Sequence, residues 1–360
     1  MLGEKQMSNY PVKDPARLEK MLFEAGLVVK VSLAEIYDIK ARTSIQREWQ
    51  DPDTCTTTPD VHDPSQWDDK LHACMRGEFF AHVLARCLRV LDVGCGEGWP
   101  SLYMARTVPE VVGVDLSPEH IALARSTARI MNRDNVRFEV ANIENLPFAE
   151  QSFDAVSFGG NVFTYGFDIE KMLREIRRVL RPAGLFAFEQ RSAEPGRAPF
   201  ERIGFFIDGG PPILHYLAGS GLFSRSWFIY LKPETVQGRS LIALAKHMSG
   251  ALSQEQREAC EDIKRGIEDG NLDCIEKAIY SGEDRSLAAR ELTPLLHEIG
   301  FVDVRSWALP NAVIFARSLQ EDGVLQRLQP GDLLPCLRSL VKSAPTYPGW
   351  IHDWVTCKKG

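Results

Sequence analysis

Nowhere in the 360 residues does an apolar run reach the about 18 residues that a membrane-crossing helix requires, and the N-terminus carries acids early instead of an apolar signal core. The chain is therefore expected to span no membrane, to escape export and to work in the cytoplasm. Its eight cysteines (Cys55, Cys74, Cys87, Cys95, Cys260, Cys274, Cys336 and Cys357) form no C-x-x-C pair and no paired cysteine–histidine spacing of the zinc-module kind. That excludes a disulfide framework or zinc module, so reduced thiols and no metal site are expected. Positive charge is also in short supply. With 42 Lys and Arg against 49 Asp and Glu, the net charge is -7, which disfavours a broad phosphate-binding surface and hence a nucleic-acid substrate. A local basic patch is still compatible with that balance. Internal repeats and low-complexity tracts are absent as well. What remains is an ordinary globular composition, 44% hydrophobic and 25% charged, in a chain long enough for a core domain with substantial additions.

The chain is organised around Val90-Leu91-Asp92-Val93-Gly94-Cys95-Gly96-Glu97-Gly98-Trp99, an apolar run that ends in an acid and then places glycine at alternate positions. This predicts a strand entering a glycine turn that opens a helix, the arrangement by which an α/β domain presents backbone amides to a small ligand. A dinucleotide fingerprint is G-x-G-x-x-G, yet Trp99 stands where its third glycine would be. The carboxylates of Asp92 and Glu97 flank the turn and would repel a pyrophosphate. A ligand carrying an ammonium and a sulfonium would be favoured by the same charges.

This stretch resembles the first motif of class I S-adenosylmethionine (SAM) dependent methyltransferases, and the resemblance continues downstream. Val111-Val112-Gly113-Val114-Asp115 reads as the second strand, with Ser117 and Pro118 as N-cap and first position of the following helix. Val136 to Val140 reads as the third strand and leads to Ala141-Asn142-Ile143. Phe153 to Phe158 and Leu185 to Glu189 read as the fourth and fifth strands. The matching elements run continuously over 85–191 and return over roughly 290–318. The resemblance, of the small-molecule type and similar to the ubiquinone- and menaquinone-biosynthesis-like methyltransferases, implies a Rossmann-like, mostly parallel seven-stranded α/β sheet with helices on both faces. It further implies SAM as cofactor and S-adenosylhomocysteine as product. Carried over residue by residue, the cofactor contacts would be Asp92, Gly94, Cys95, Gly96 and Gly98 for the methionine portion, with Asp115 and Leu116 for the ribose. Asn142 and Ile143 would hold the adenine, and Phe158 and Gly159 would close the fourth strand's end. An acid often stands in the family where this chain has Asn142, whose side-chain oxygen can still accept from the adenine amino group.

The sequence predicts this core together with three additions. Residues 1–66 form an N-terminal helical extension, with a helix from Pro15 to Gly26 and a second from the capping box Ser32-Leu33-Ala34-Glu35 to about Trp49. Their apolar stripes are read as structural packing, with a lid over the cofactor cleft as the alternative. Residues 67–191 and 289–319 form the SAM-binding core, opening with a helix around Met75 to Cys87 and closing with strands over Phe301 to Trp307 and Asn311 to Arg317, the last of them antiparallel beside the fifth. Residues 192–288 interrupt the βα rhythm with prolines, glycines and a dense set of aromatics, including Phe205, Phe206, Tyr216, Trp227 and Phe228. They are expected to be a mixed or helical insertion after the fifth strand that covers the substrate, with helices over Ser253 to Gly270 and Leu272 to Tyr280. Residues 320–360 form a C-terminal extension with a helix near Leu333 to Val341, and both termini are candidates for homodimer contact.

Methyl transfer from a sulfonium is an in-line displacement that asks chiefly for alignment and exclusion of water. A general base is optional. Polar groups that follow the fourth and fifth strands, Asn161, Tyr165, Glu189 and Gln190, are the candidates near the reacting methyl, together with His215 of the insertion. His120 is expected on the adenosine side or on its helix, and His247 and His297 on helix surfaces. The expected activity is methylation of an apolar or aromatic small molecule. The alternatives are a methyltransferase acting on a protein side chain or tRNA, and a SAM-binding regulatory protein without catalysis.

Overall fold

The alternation of short β-branched runs with helical stretches between residues 90 and 189 folds as a layered α/β structure. The computed structural model describes residues 15–44, 67–159, 167–189, 200–207, 210–220, 223–246, 252–285, 289–309, 330–348 and 354–360. Among these, the helices are α1 (Pro15–Glu24), α2 (Leu33–Ser44), α3 (Trp67–Val83), α4 (Trp99–Met104), α5 (Pro118–Ile130), α6 (Ile169–Val179), α7 (Val236–Ala245), α8 (Gln254–Glu268), α9 (Ala289–Ile299) and α10 (Pro330–Ser343). The strands are β1 (Val28–Val29), β2 (Arg89–Val93), β3 (Glu110–Asp115), β4 (Val136–Val140), β5 (Phe153–Phe158), β6 (Leu180–Glu189), β7 (Phe200–Phe206), β8 (Ile213–Ser220), β9 (Phe223–Leu231), β10 (Ile275–Arg285), β11 (Phe301–Trp307), β12 (Thr346–Pro348) and β13 (Trp354–Lys359). The chain divides into two compact units, one built from 34–193 and 286–360 and the other from residues up to 33 and 194–285.

The first unit carries one sheet in the order β12-β11-β13-β6-β5-β2-β3-β4. From β4 to β6 every neighbouring pair is parallel, whereas β13 runs antiparallel to both β6 and β11, and β12 antiparallel to β11. Strands covered on both faces need apolar side chains on both, which is why β2, β3 and β5 read as near-continuous hydrophobic runs. One face packs on α6 and α9 through Leu173, Ile176, Leu292 and Leu296 against Phe158, Phe186 and Phe188. The other packs on α3, α4 and α10 through Phe79, Phe80, Met104 and Leu337. The chain leaves β2 for β3 and β4 on one side and then returns to β5 on the other. That reversal opens a crevice at the carboxyl ends of β2 and β5, where ligands of open α/β sheets bind.

The expected mostly parallel α/β sheet with helices on both faces is therefore found, with eight strands among the described residues against the seven expected, because β12 adds to β11, and with two further differences in its elements. The strand lying antiparallel beside the fifth is β13, from the C-terminal extension; Asn311 to Arg317, expected there, lie outside the described residues. In β13, Val355 and Cys357 are buried against the α6/α9 side and Trp354 against the α3/α10 side, so Trp354 to Cys357 are buried without alternation and no exposed face marks the strand in the sequence. The other difference is in the second unit, where Ile275–Arg285 is a strand and not the helix expected over Leu272 to Tyr280. Its pairing with β9 shifts register between Ile275 and Lys277 and again between Tyr280 and Gly282. Two irregularities in six residues break the alternation that would have revealed the strand.

The second unit is a five-stranded sheet, β1-β10-β9-β8-β7, with β7 to β10 an antiparallel meander and β1 added in parallel to β10. Leu18 and Leu22 of α1 join Cys260 and Ile263 of α8 on one face, against Tyr216, Trp227 and Ile229. Much of the aromatic density of the insertion is thus its own core. A capping box opens α8, with the Ser253 hydroxyl accepting from the Gln256 amide and the Gln256 side-chain oxygen accepting from the Ser253 amide.

Replacing fully buried Val355 by Asp places an unpaired charge between two packed layers and should cost more than about 3 kcal/mol, whereas the same change at the exposed Val302 should stay within about 0.5 kcal/mol. Urea unfolding of the two variants checks this; equal losses would show that β13 is not integral to the sheet.

Candidate active site

The site is assembled at the crevice between β2 and β5. After Val93 the backbone enters the left-handed region at Gly94, Gly96 and Gly98, with φ of 65°, 53° and 91°. At Gly98 a side chain would also have no room, since a Cβ there would stand 2.8 Å from Cζ of Phe138. The turn is tied to the second strand by two contacts: the Cys95 amide donates to the Val114 carbonyl at 3.0 Å, and the Gly96 amide donates to Oδ2 of Asp115 at 2.9 Å. The other oxygen of Asp115 accepts from the Ser117 amide at 2.9 Å and lies 3.4 Å from Nδ1 of His120. One carboxylate therefore links the glycine turn to the first turn of α5. Ser117 caps that helix, accepting from the His120 amide, and its hydroxyl donates to Asp38 of α2.

These elements enclose a cavity of about 180 Å³. Its glycine side is Gly94, Gly96 and Gly159; its acid is Asp115; its walls include Leu116, Ile143, Tyr37 and Phe167. Tyr37 and Phe167 stack on each other with ring centroids 6.3 Å apart. The cavity thus offers a carboxylate with a lone pair to spare at one place and flat apolar surfaces at another, the chemistry that suits a nucleoside. Among the described residues, no cluster of cations lines it to match a pyrophosphate.

Behind the turn lies a second layer of charge. Asp92 is fully buried, accepting from the hydroxyls of Ser101 at 2.5 Å and Ser157 at 2.9 Å. Burial pushes its carboxyl up to about 6, against the opposing pull of those two hydroxyls and of the Arg76 charge. Arg76, from α3, is bonded through Nε and Nη2 to Oε2 of Glu189 at 3.0 and 2.9 Å. Its stem runs beneath Gly159, where a Cβ would meet Cδ of Arg76 at 3.1 Å.

Of the residues expected to hold the cofactor, Gly94, Gly96, Asp115, Leu116, Ile143 and Gly159 line the cavity together. Asp92, Cys95, Gly98 and Phe158 are not among its lining residues; Asp92, Cys95 and Phe158 are buried, and Gly98 caps α4. Asn142 is exposed, and its side-chain oxygen accepts from the Glu144 amide at 2.9 Å, so one lone pair of the expected adenine acceptor is used in the chain's own turn. Among the catalytic candidates, Asn161 and Tyr165, like Gln190, lie outside the described residues. Glu189 is buried at the end of β6 with Arg76 on its carboxylate. His215 belongs to the second unit, where its Nε2 is 2.9 Å from the Ser226 hydroxyl and its ring stacks on Phe228 with centroids 4.8 Å apart. His120 sits on the cavity wall, and His297 is exposed on α9. Tyr37, Phe167 and Arg76 were not singled out in the sequence. Only the apolar stripe of α2, read alternatively as a lid, pointed toward Tyr37.

Comparison with known proteins bears on this geometry directly: residues 90–184 match the family model described as methyltransferase domain. Residues 90–184 are a methyltransferase domain. The cofactor that goes with such a domain is SAM. Within that stretch the chain is similar to the uncharacterised methyltransferase YcgJ of Bacillus subtilis, 38% identical over 100 residues that make up 27% of this chain and 38% of the relative. It is also similar to demethylmenaquinone methyltransferase of Thermus thermophilus, 41% identical over 132 residues, 34% of this chain and 58% of the relative. A SAM-dependent Diels-Alderase of Talaromyces variabilis is 32% identical over 109 residues, 30% of this chain and 37% of the relative. The matches span less than two thirds of each relative's length. Among solved structures, the CcbJ methyltransferase from Streptomyces caelestis aligns over 76% of this chain and 90% of its own at 16% identity, with a TM-score of 0.47.

The buried Asp92 makes stability pH-dependent. Its carboxyl titrates near 3.8 when exposed and at about 6 in the fold, so the folded protein holds the proton more tightly between those values. Stability conferred by this site is present below the lower value and lost as pH rises to the upper one, on the order of 3 kcal/mol in all. Asp92→Asn cannot ionise and keeps its contacts with the two serines, so its unfolding free energy should fall less between about pH 4 and pH 7 than that of the unsubstituted chain. Parallel pH-dependent urea titrations check this, and identical profiles would rule the account out.

Proposed function

We propose that this chain is a cytoplasmic SAM-dependent methyltransferase whose acceptor is an apolar or aromatic small molecule. The observation that carries the reading is Asp115: a carboxylate at the end of β3, fastened to the Gly96 amide and presented into a cavity otherwise walled by glycine and flat apolar groups. Acid, turn and cavity fit a sulfonium nucleoside and would oppose a pyrophosphate. The names of similar proteins support an apolar acceptor, since they include demethylmenaquinone methyltransferases and a fatty-acid O-methyltransferase of Mycolicibacterium smegmatis.

SAM supplies a methyl group already activated by its sulfonium. The residues of this chain have to hold, orient and dry the reactants. Asp115 would accept the ribose hydroxyls through the lone pair that the Gly96 amide leaves open. Ile143, Leu116 and Phe167 would enclose the base. Gly94 and Gly96, without side chains, let the main chain approach the amino-acid end, and the Asp92 carboxylate behind them favours a cation there. Arg76 keeps the Glu189 carboxylate in one place at the end of β6, where it can position an acceptor or take its proton. Alignment and desolvation of this kind can supply several kcal/mol of the barrier lowering. The expected acceptor cover is the 192–288 insertion, and His215 is its candidate imidazole.

Because one similar protein is a Diels-Alderase, the deciding measurement must follow the methyl group and not binding alone. Methyl-labelled SAM supplied with a cell extract should pass label to the organic-extractable small-molecule fraction and yield S-adenosylhomocysteine. Label confined to protein or RNA would replace the acceptor assignment, and absence of S-adenosylhomocysteine would replace the enzymatic one. Asp115→Ala should remain folded by circular dichroism yet bind S-adenosylhomocysteine at least about tenfold more weakly in calorimetry. Unchanged affinity would remove the ribose assignment.

A further inference from the structure

The local basic patch that the overall acidity leaves room for lies on the outer side of α5 and β4. Residues 125–137 contain four arginines, Arg125, Arg129, Arg133 and Arg137, against one acid, Asp134, in a chain whose net charge is -7. The first two are one helical turn apart on α5, and the reversal after α5, with Asn132 at a φ of 51°, brings Arg133 and then Arg137 of β4 to the same place. All four line one open cavity of about 500 Å³, together with Asp134, Val136 and Phe138. It is distinct from the nucleoside cavity, with which it shares no residue.

The four guanidinium groups are not equivalent. Arg125 is spent on the Phe138 carbonyl, with Nε at 3.0 Å and Nη2 at 2.7 Å. Arg137 is held by Glu110 and Glu139. The guanidinium groups of Arg129 and Arg133 make no ion pair or hydrogen bond among the described residues, and Nε of Arg133 is buried with no partner. Arg129, in the last turn of α5, complements the helix dipole and needs no other explanation. Nothing of that kind accounts for Arg133, because buried donors in folded proteins are ordinarily satisfied. Asp134 supplies one opposing charge in the lining, leaving Arg129 and Arg133 to set the sign of the site.

We propose that this cavity binds a small oligophosphate, an anion with at least two adjacent phosphate groups. Planar guanidinium forks match phosphate oxygens in pairs, and an oxygen placed against Arg133 Nε would satisfy the buried donor. The cavity is several times larger than a single phosphate, and its cations approach from the helix, the turn and the strand. Phe138 is among the lining residues, and its buried ring abuts the positions of Gly98 and Gly113, so one residue lies between this cavity and the glycine turn. The proposal does not rest on methyl transfer.

The test is calorimetric titration of the full chain with inorganic tripolyphosphate at low salt, with sodium sulfate and a short oligouridylate as comparison ligands. Saturable binding of tripolyphosphate, stronger than that of sulfate and weakened about tenfold or more in Arg129→Ala/Arg133→Ala, is expected. S-adenosylhomocysteine affinity and the urea midpoint should be unchanged in that variant, which separates loss of this site from loss of the fold or of the cofactor cavity. Absent or non-saturable binding, binding unaffected by the double substitution, or no preference over sulfate would overturn the proposal. Tighter binding of the oligouridylate would overturn it in favour of an RNA backbone.

Discussion

The carboxylate of Asp115 accepts at once from the amide of Gly96 and from that of Ser117, and most of what surrounds the cavity at the ends of β2 and β5 depends on this double contact. A glycine turn with three residues of positive φ has many alternative conformations, and ordering it carries a large entropic cost. Fixing its central amide to the neighbouring strand removes most of that freedom without filling the space in front of it. The same carboxylate orders the entrance to α5, so two chain segments that a ligand must touch are set by one side chain. The bond to Asp38 extends this arrangement to α2, which brings Tyr37 into the wall.

Support comes from behind through close packing. Gly113 leaves room on β3 for the Phe138 ring, since a Cβ there would stand 2.5 Å from it, and the same ring fills the space that a side chain at Gly98 would occupy. The site's geometry is thus maintained by an aromatic wedge that reaches across the sheet from β4. Below it, the serine-bonded Asp92 and the Arg76–Glu189 pair place charge in the interior at some cost to stability. Buried polar groups retained in this way are characteristic of sites where a charged ligand must be met.

Much of the core was legible because its signals are local. The strands β2 to β5 each announce themselves by an apolar run with an acid, amide or glycine where the strand ends, and the parallel sheet follows from their alternation with helices. Elements whose identity depends on distant partners were not legible. The two register shifts in β10 conceal its period, and β13 looks like a tail until β6 and β11 are placed on either side of it. In the cavity, the lining residues that the sequence singled out all lie at or just beyond the carboxyl ends of β2 to β5. Tyr37 and Phe167 come from segments outside those turns, and Arg76 reaches Glu189 across 113 positions of sequence. Such contacts carry no spacing that a sequence can display.

The position of β13 has a consequence for the order in which the molecule can be completed. This strand lies inside the sheet, yet it is synthesised after the whole of the second unit. Until residue 359 has been made, β6 keeps one open edge and β11 has nothing to bridge it to the parallel half. A nascent chain would therefore carry an unfinished sheet through most of its own translation, with Phe186 and Phe188 beside an unpaired backbone. Unpaired strand edges next to exposed aromatics invite association with other chains. The second unit, whose strands β7 to β10 lie within one continuous stretch, is under no such delay.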